Sequence, residues 1–61
     1  MNKLIKITDR KGNDHFVGSA FIVSIMVNPR GMTIVNFQKG ETFDRIATDE
    51  NIDKLVQRIN D

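Results

Sequence analysis

Apolar residues recur at three different spacings along the chain, and each spacing predicts a different element. From Lys3 to Thr8 they alternate, with Ile5 and Ile7 on one side and Lys6 and Thr8 on the other, the period of a half-buried strand. Asp9 to Asp14 is a run of turn formers around Gly12, which predicts a hairpin loop. The chain resumes as a strand at His15-Phe16-Val17. Gly18-Ser19-Ala20 then interrupts the apolar pattern with three small residues, where a bulge or short bend is expected.

Phe21 to Val27 is an uncharged run in which every residue but Ser24 is large and apolar. Strict alternation would put Phe21, Val23, Ile25 and Val27 on one face and Ile22 and Met26 on the other. Both faces of such a strand are apolar. A chain of 61 residues has one helix with which to cover a sheet, so the second face calls for a partner, most simply a second copy. Phe21, Ile22, Val23, Met26 and Val27 are the candidate interface.

Asn28-Pro29-Arg30-Gly31 places Asn, Pro and Gly at the first, second and fourth positions of a type I turn. Met32 to Phe37 follows as a further strand, Gln38 to Glu41 closes a tight hairpin, and Thr42 to Ala47 returns. Thr48 stands where an N-cap belongs, with Asp49 and Glu50 in the first turn. Ile52, Leu55, Val56 and Ile59 lie at i, i+3, i+4 and i+7, one stripe of a helix running from Asp49 to Asn60. Glu50, Lys54 and Arg58 share another face. The expected fold is one α+β domain over residues 1–61, a four-stranded, mostly antiparallel meander with a C-terminal amphipathic helix on one face.

Composition narrows the chemistry. The chain has no cysteine, which removes disulfides, thiolate metal sites and a thiol nucleophile. Met1-Asn2-Lys3 leads into the first strand without an apolar export segment, and no stretch is long enough to span a bilayer, so a cytoplasmic protein without membrane association is expected. Formal charge is +1. Residues 1–31 carry Lys3, Lys6, Arg10, Lys11 and Arg30 against Asp9 and Asp14, whereas the remainder is net acidic. Those five cations are a candidate anion patch, modest beside a nucleic-acid domain.

Catalytic candidates are few. His15 is the one histidine, and its neighbour Asp14 points to the opposite strand face, so the two do not form a dyad; an exposed strand-end residue is expected. Ser19 and Ser24 have nothing nearby in sequence to activate them. Asp9, Asn13 and Asp14 lack the ligand spacing of a calcium loop, and the four glycines stand singly rather than in a phosphate-binding run. The aromatics Phe16, Phe21, Phe37 and Phe43 lie on strand patterns and are expected in core or interface packing. No catalytic residue, metal site or cofactor is expected.

Leu4-Ile5-Lys6-Ile7-Thr8, a glycine-containing turn, Ile22-Val23-Ser24-Ile25, Met32-Thr33-Ile34, Gly40-Glu41 and the helix from Thr48 to Ile59 follow in the order of the small FlbD-type family. The chain resembles that family of bacterial flagellar and swarming-motility proteins and short bacterial or phage relatives over almost its whole length. It departs from it at Gly18 and Ser19, where Asn or Asp is common, and in a less acidic helix start. The resemblance implies a four-stranded sheet with a C-terminal helix and no enzymatic activity. Met32 to Ile59 is also similar to the end of LytTR-type DNA-binding domains, without their basic reading loops. Two functions follow as expectations: a non-enzymatic accessory protein acting as a homo-oligomeric interaction module, dimeric in its simplest form, or a small nucleic-acid-binding regulator using the basic N-terminal half.

Overall fold

The computed structural model describes residues 3–61, and the expectation placed on Met1 and Asn2 lies outside the described residues. Alternation at Leu4–Thr8 gives β1 and the hairpin loop returns the chain as β2, Asp14–Gly18; a 3₁₀ turn, Ser19–Phe21, leads to β3, Ile22–Val27. β4, Thr33–Lys39, and β5, Thr42–Thr48, complete the strands, and α1 is Ile52–Asn60. The class is α+β, as expected, but the single four-stranded sheet is replaced by two antiparallel sheets, β1-β2 and β3-β4-β5.

The small residues that interrupt the pattern are the cause. Ser19 N–H bonds to Lys3 C=O at 2.7 Å and Lys3 N–H to Ser19 Oγ at 3.1 Å, closing the β1-β2 ladder. The chain then coils for three residues and the N–H of Ile22 returns to Ser19 C=O. That 3₁₀ turn ends one sheet and starts the other. The expected bend at Gly18-Ser19-Ala20 is a sheet boundary.

Turn chemistry acts locally as its residues dictate. Gly31 N–H bonds to Asn28 C=O at 2.9 Å, and Asn28 Oδ1 accepts from the N–H groups of Arg30 and Met32. Gly40 has φ +62° and Glu41 lies outside the left-handed region, the type II′ pattern that joins twisted strands through a two-residue loop between the paired Lys39 and Thr42.

Helix α1 starts later than Thr48 suggests. Asn51 is the N-cap, its side chain accepting from the N–H groups of Asp53 and Lys54. Thr48 ends β5 fully buried, donating its hydroxyl to Thr8 C=O at 2.6 Å and accepting from Glu50 N–H. Glu50 lies before the helix and pairs with Arg58 at 3.0 Å rather than with Lys54. Within the stripe Leu55 is buried and Ile52 and Ile59 half-buried, while Val56 faces solvent.

The core consists of Ile5 and Ile7 of β1, Val17 of β2, Val35 of β4, Ile46 of β5 and Leu55 of α1. Ile22, Ile25, Phe37 and Ile59 pack around it. Ile22 and Ile25 share the core side, although strict alternation separates them. The β3-β4 register shifts between Ile22 and Ser24, so one extra residue, Val23, reverses the parity of the strand. The two fully apolar faces expected of Phe21–Val27 are thereby resolved: Ile22 and Ile25 go inward, and Val23 and Met26 remain at the surface.

Candidate functional site

Main-chain hydrogen bonds identify which strand edges are available. Bonded pairs alternate with open pairs along an antiparallel ladder. Asp9 N–H to Asn13 C=O and Ser19 N–H to Lys3 C=O set the phase for β1-β2, so the main-chain groups of Lys6 and Thr8 point away from β2, and those of Asp14, Phe16 and Gly18 away from β1. Asn28 N–H to Met32 C=O sets it for β3-β4, and the groups of Ile25 and Val27 point outward. On β5 those of Phe43, Arg45 and Ala47 point outward, as the bond from Arg10 N–H to Ala47 C=O requires.

The outer edge of β1 is sealed by side chains. Arg58 donates to Lys6 C=O at 2.5 Å, Glu50 accepts from Thr8 N–H at 3.1 Å, and Thr48 donates to Thr8 C=O. Burial pushes the Glu50 carboxyl up, but hydrogen bonds from the Arg58 guanidinium and the Thr8 N–H outweigh it and hold the carboxyl below its ordinary value. The outer edge of β3 carries no such cover among the described residues. Val23, 61% exposed, with Met26 and Val27, lies beside it.

Of the five expected interface residues, Phe21, Val23, Met26 and Val27 are exposed and Ile22 packs on the core. Phe21 belongs to the 3₁₀ turn rather than the strand. The aromatics divide in the same way. Phe37 alone joins the core, whereas Phe16, Phe21 and Phe43 are at least half exposed.

The five cations of the expected anion patch are spread out. Lys3 precedes β1, near Ile59, Asn60 and Asp61, while Arg10 and Lys11 occupy the loop at the other end of that strand. Lys6 pairs with Asp14 at 3.6 Å, and Arg10 with Asp49 at 3.2 Å while also touching Met32 Sδ. Arg30 sits in the β3-β4 turn.

His15 does have a carboxylate partner, and it is Asp9 rather than Asp14. Its Nε2 lies 2.8 Å from Asp9 Oδ2, so the strand-end residue expected to be exposed is half-buried and paired, though not with Asp14. The hairpin register carried the signal: His15 pairs with Ile7, and Asp9, two residues on, follows Ile7 in parity. Asp9 Oδ1 also accepts from the N–H groups of Lys11 and Asn13. Led by the His15 hydrogen bond and helped by these backbone donors, the Asp9 carboxyl is held down to about 2. Asp9 is thus the organiser of the hairpin loop.

Two connected grooves adjoin this pair. One, of 540 Å³, runs between β2 and β5 and is lined by Phe16, Phe21, Phe37, Lys39 and Arg45 among others. The other, of 400 Å³, continues past His15 and Arg45 to Asp9, Arg10 and Met32. Neither is lined by a serine, threonine or cysteine. No helix among the described residues is long and apolar enough to cross a membrane. No family model, curated protein or solved structure matches the chain.

Proposed function

We propose that this chain is a small, non-enzymatic accessory protein, bacterial or phage in origin and cytoplasmic, that acts as a homo-oligomeric interaction module, a dimer in its simplest form. The observation that carries this reading is β3. It is an edge strand without a single charge, its outward N–H and C=O groups at Ile25 and Val27 have no hydrogen-bond partner among the described residues, and Val23, Met26 and Val27 stand exposed along it. Edge strands of monomeric proteins are ordinarily guarded by charge, proline or a covering side chain. Apart from the bulge at Val23, this strand has none of these among the described residues, and a second β3 running antiparallel would satisfy its donors and acceptors while removing apolar surface from water. The FlbD-type resemblance, which implies no enzymatic activity, agrees with it. So does the groove beside His15, which offers no hydroxyl or thiol for the imidazole to activate.

Sedimentation equilibrium at micromolar concentration tests the proposal. A dimer or higher oligomer is expected, nearly insensitive to salt, and Val27→Lys or Met26→Glu should give soluble monomer. A wild-type chain monomeric across the range would overturn it. The alternative, a nucleic-acid-binding regulator, predicts a complex with DNA or RNA whose affinity falls steeply with salt; the ion pairs already holding Lys6 and Arg10 weigh against it.

A further inference from the structure

The groove between β2 and β5 is walled by strand edges on both sides, and the geometry points to it as the acceptor for one extended peptide segment of a partner protein, apolar at alternate positions and acidic between them. On the β2 wall the N–H and C=O groups of Phe16 face outward, flanked by those of Asp14 and by the N–H of Gly18, whose C=O opens the 3₁₀ turn; no hydrogen bond among the described residues takes up those of Phe16 and Asp14. A row of alternating donors and acceptors is complemented by another extended main chain, which would become a third strand of the β1-β2 sheet.

Side chains specify the rest. Phe21 and Phe37 line the groove and give the alternate residues of an entering strand an apolar surface. Of the charged groups there, Asp14 is paired with Lys6 and His15 with Asp9, whereas Lys39, Arg45 and Asp44 hold no ion pair among the described residues, two cations to one anion. This positive balance calls for carboxylates on the occupant. A second copy fits poorly: its strands each carry a neighbour on at least one side, and a cleft walled on both sides admits a lone segment more readily than the rim of a sheet. β3 and β5 are opposite edges of the three-stranded sheet. Self-association through β3 therefore leaves the β2 and β5 walls free, Phe21 being the one residue that both surfaces claim, and the peptide contacts at Asp14 and Phe16 are read separately from dimerisation.

Titration of the isotopically labelled protein with a capped eight-residue peptide alternating valine and glutamate, followed by amide NMR, tests the inference. The amides of Asp14, Phe16 and Gly18 should shift and gain protection from exchange. The same peptide N-methylated at alternate residues should not bind, and one alternating valine and lysine should bind severalfold more weakly. Lys39→Glu with Arg45→Glu, both on exposed positions, should invert that charge preference. Absence of shifts at millimolar peptide, equal binding of the N-methylated peptide, or shifts confined to Ile25 and Val27 would each overturn it.

Discussion

The outer edges of β1 and β3 are the same kind of object, a row of main-chain donors and acceptors with no strand beside them, and the chain treats them in opposite ways. Along β1 the C=O of Lys6 and both main-chain groups of Thr8 are taken up by Arg58, Glu50 and Thr48, all contributed by the C-terminal part of the chain. Along β3 the composition removes every charge, and no hydrogen bond among the described residues takes up the outward main-chain groups of Ile25 and Val27. The difference teaches that edge protection in so small a domain is local. Sealing one edge uses a helix and its connecting loop, and the remaining edges keep whatever chemistry their own residues supply.

The largest expected effect breaks the sealed side. Leu55→Ala removes the buried anchor of α1 and should cost about 2–5 kcal/mol, enough to abolish folding in a domain of ordinary marginal stability. Chemical denaturation checks it, and a midpoint equal to that of the parent would mean that the helix is not docked.

Thr48→Val sharpens the comparison, since it keeps the shape of the side chain and deletes the hydroxyl. Thr8 C=O loses its buried donor, a loss of about 1–3 kcal/mol, whereas Ser24→Ala on β3 should change stability by less than about 0.5 kcal/mol. Denaturant midpoints of the pair decide it; equal values would show that the β1 seal contributes nothing.

The smallest effect concerns acid. Asp9 is held near 2 against an ordinary value of 3.8, so its contribution is complete above about pH 4 and is lost as pH falls through the interval between 3.8 and about 2. His15→Ala should raise the Asp9 midpoint, read directly by NMR titration of the carboxyl. An Asp9 that titrates near 3.8 in the parent would contradict the hairpin clamp.

Elements governed by neighbouring residues were legible in the sequence. Asn28, Pro29 and Gly31 fix their turn, Gly40 and Glu41 theirs, and the spacing of Ile52, Leu55 and Ile59 marks the buried side of the helix. What escaped depends on partners far along the chain. Thr48 and Asn51 are both good cap residues, and the choice between them is made by Thr8, forty positions away, which takes the Thr48 hydroxyl. The parity of Phe21–Val27 is reversed by pairing with β4, which inserts Val23 as a bulge. The exposed strand residues Val23, Met26 and Val27 were legible as a candidate site because an uncharged run is visible in any fold. The groove was not, because its walls come from strands in different sheets.

The bond from Arg58 to Lys6 spans 52 residues. During synthesis β1 and β2 emerge before α1, and Lys6 C=O and Thr8 N–H wait until Glu50 and Arg58 have been made before their partners exist. The hairpin is therefore completed late although it is made before the residues that seal it. Its first strand is a sticky edge in the nascent chain, and the docking of the last turn of α1 is the event that ends that exposure.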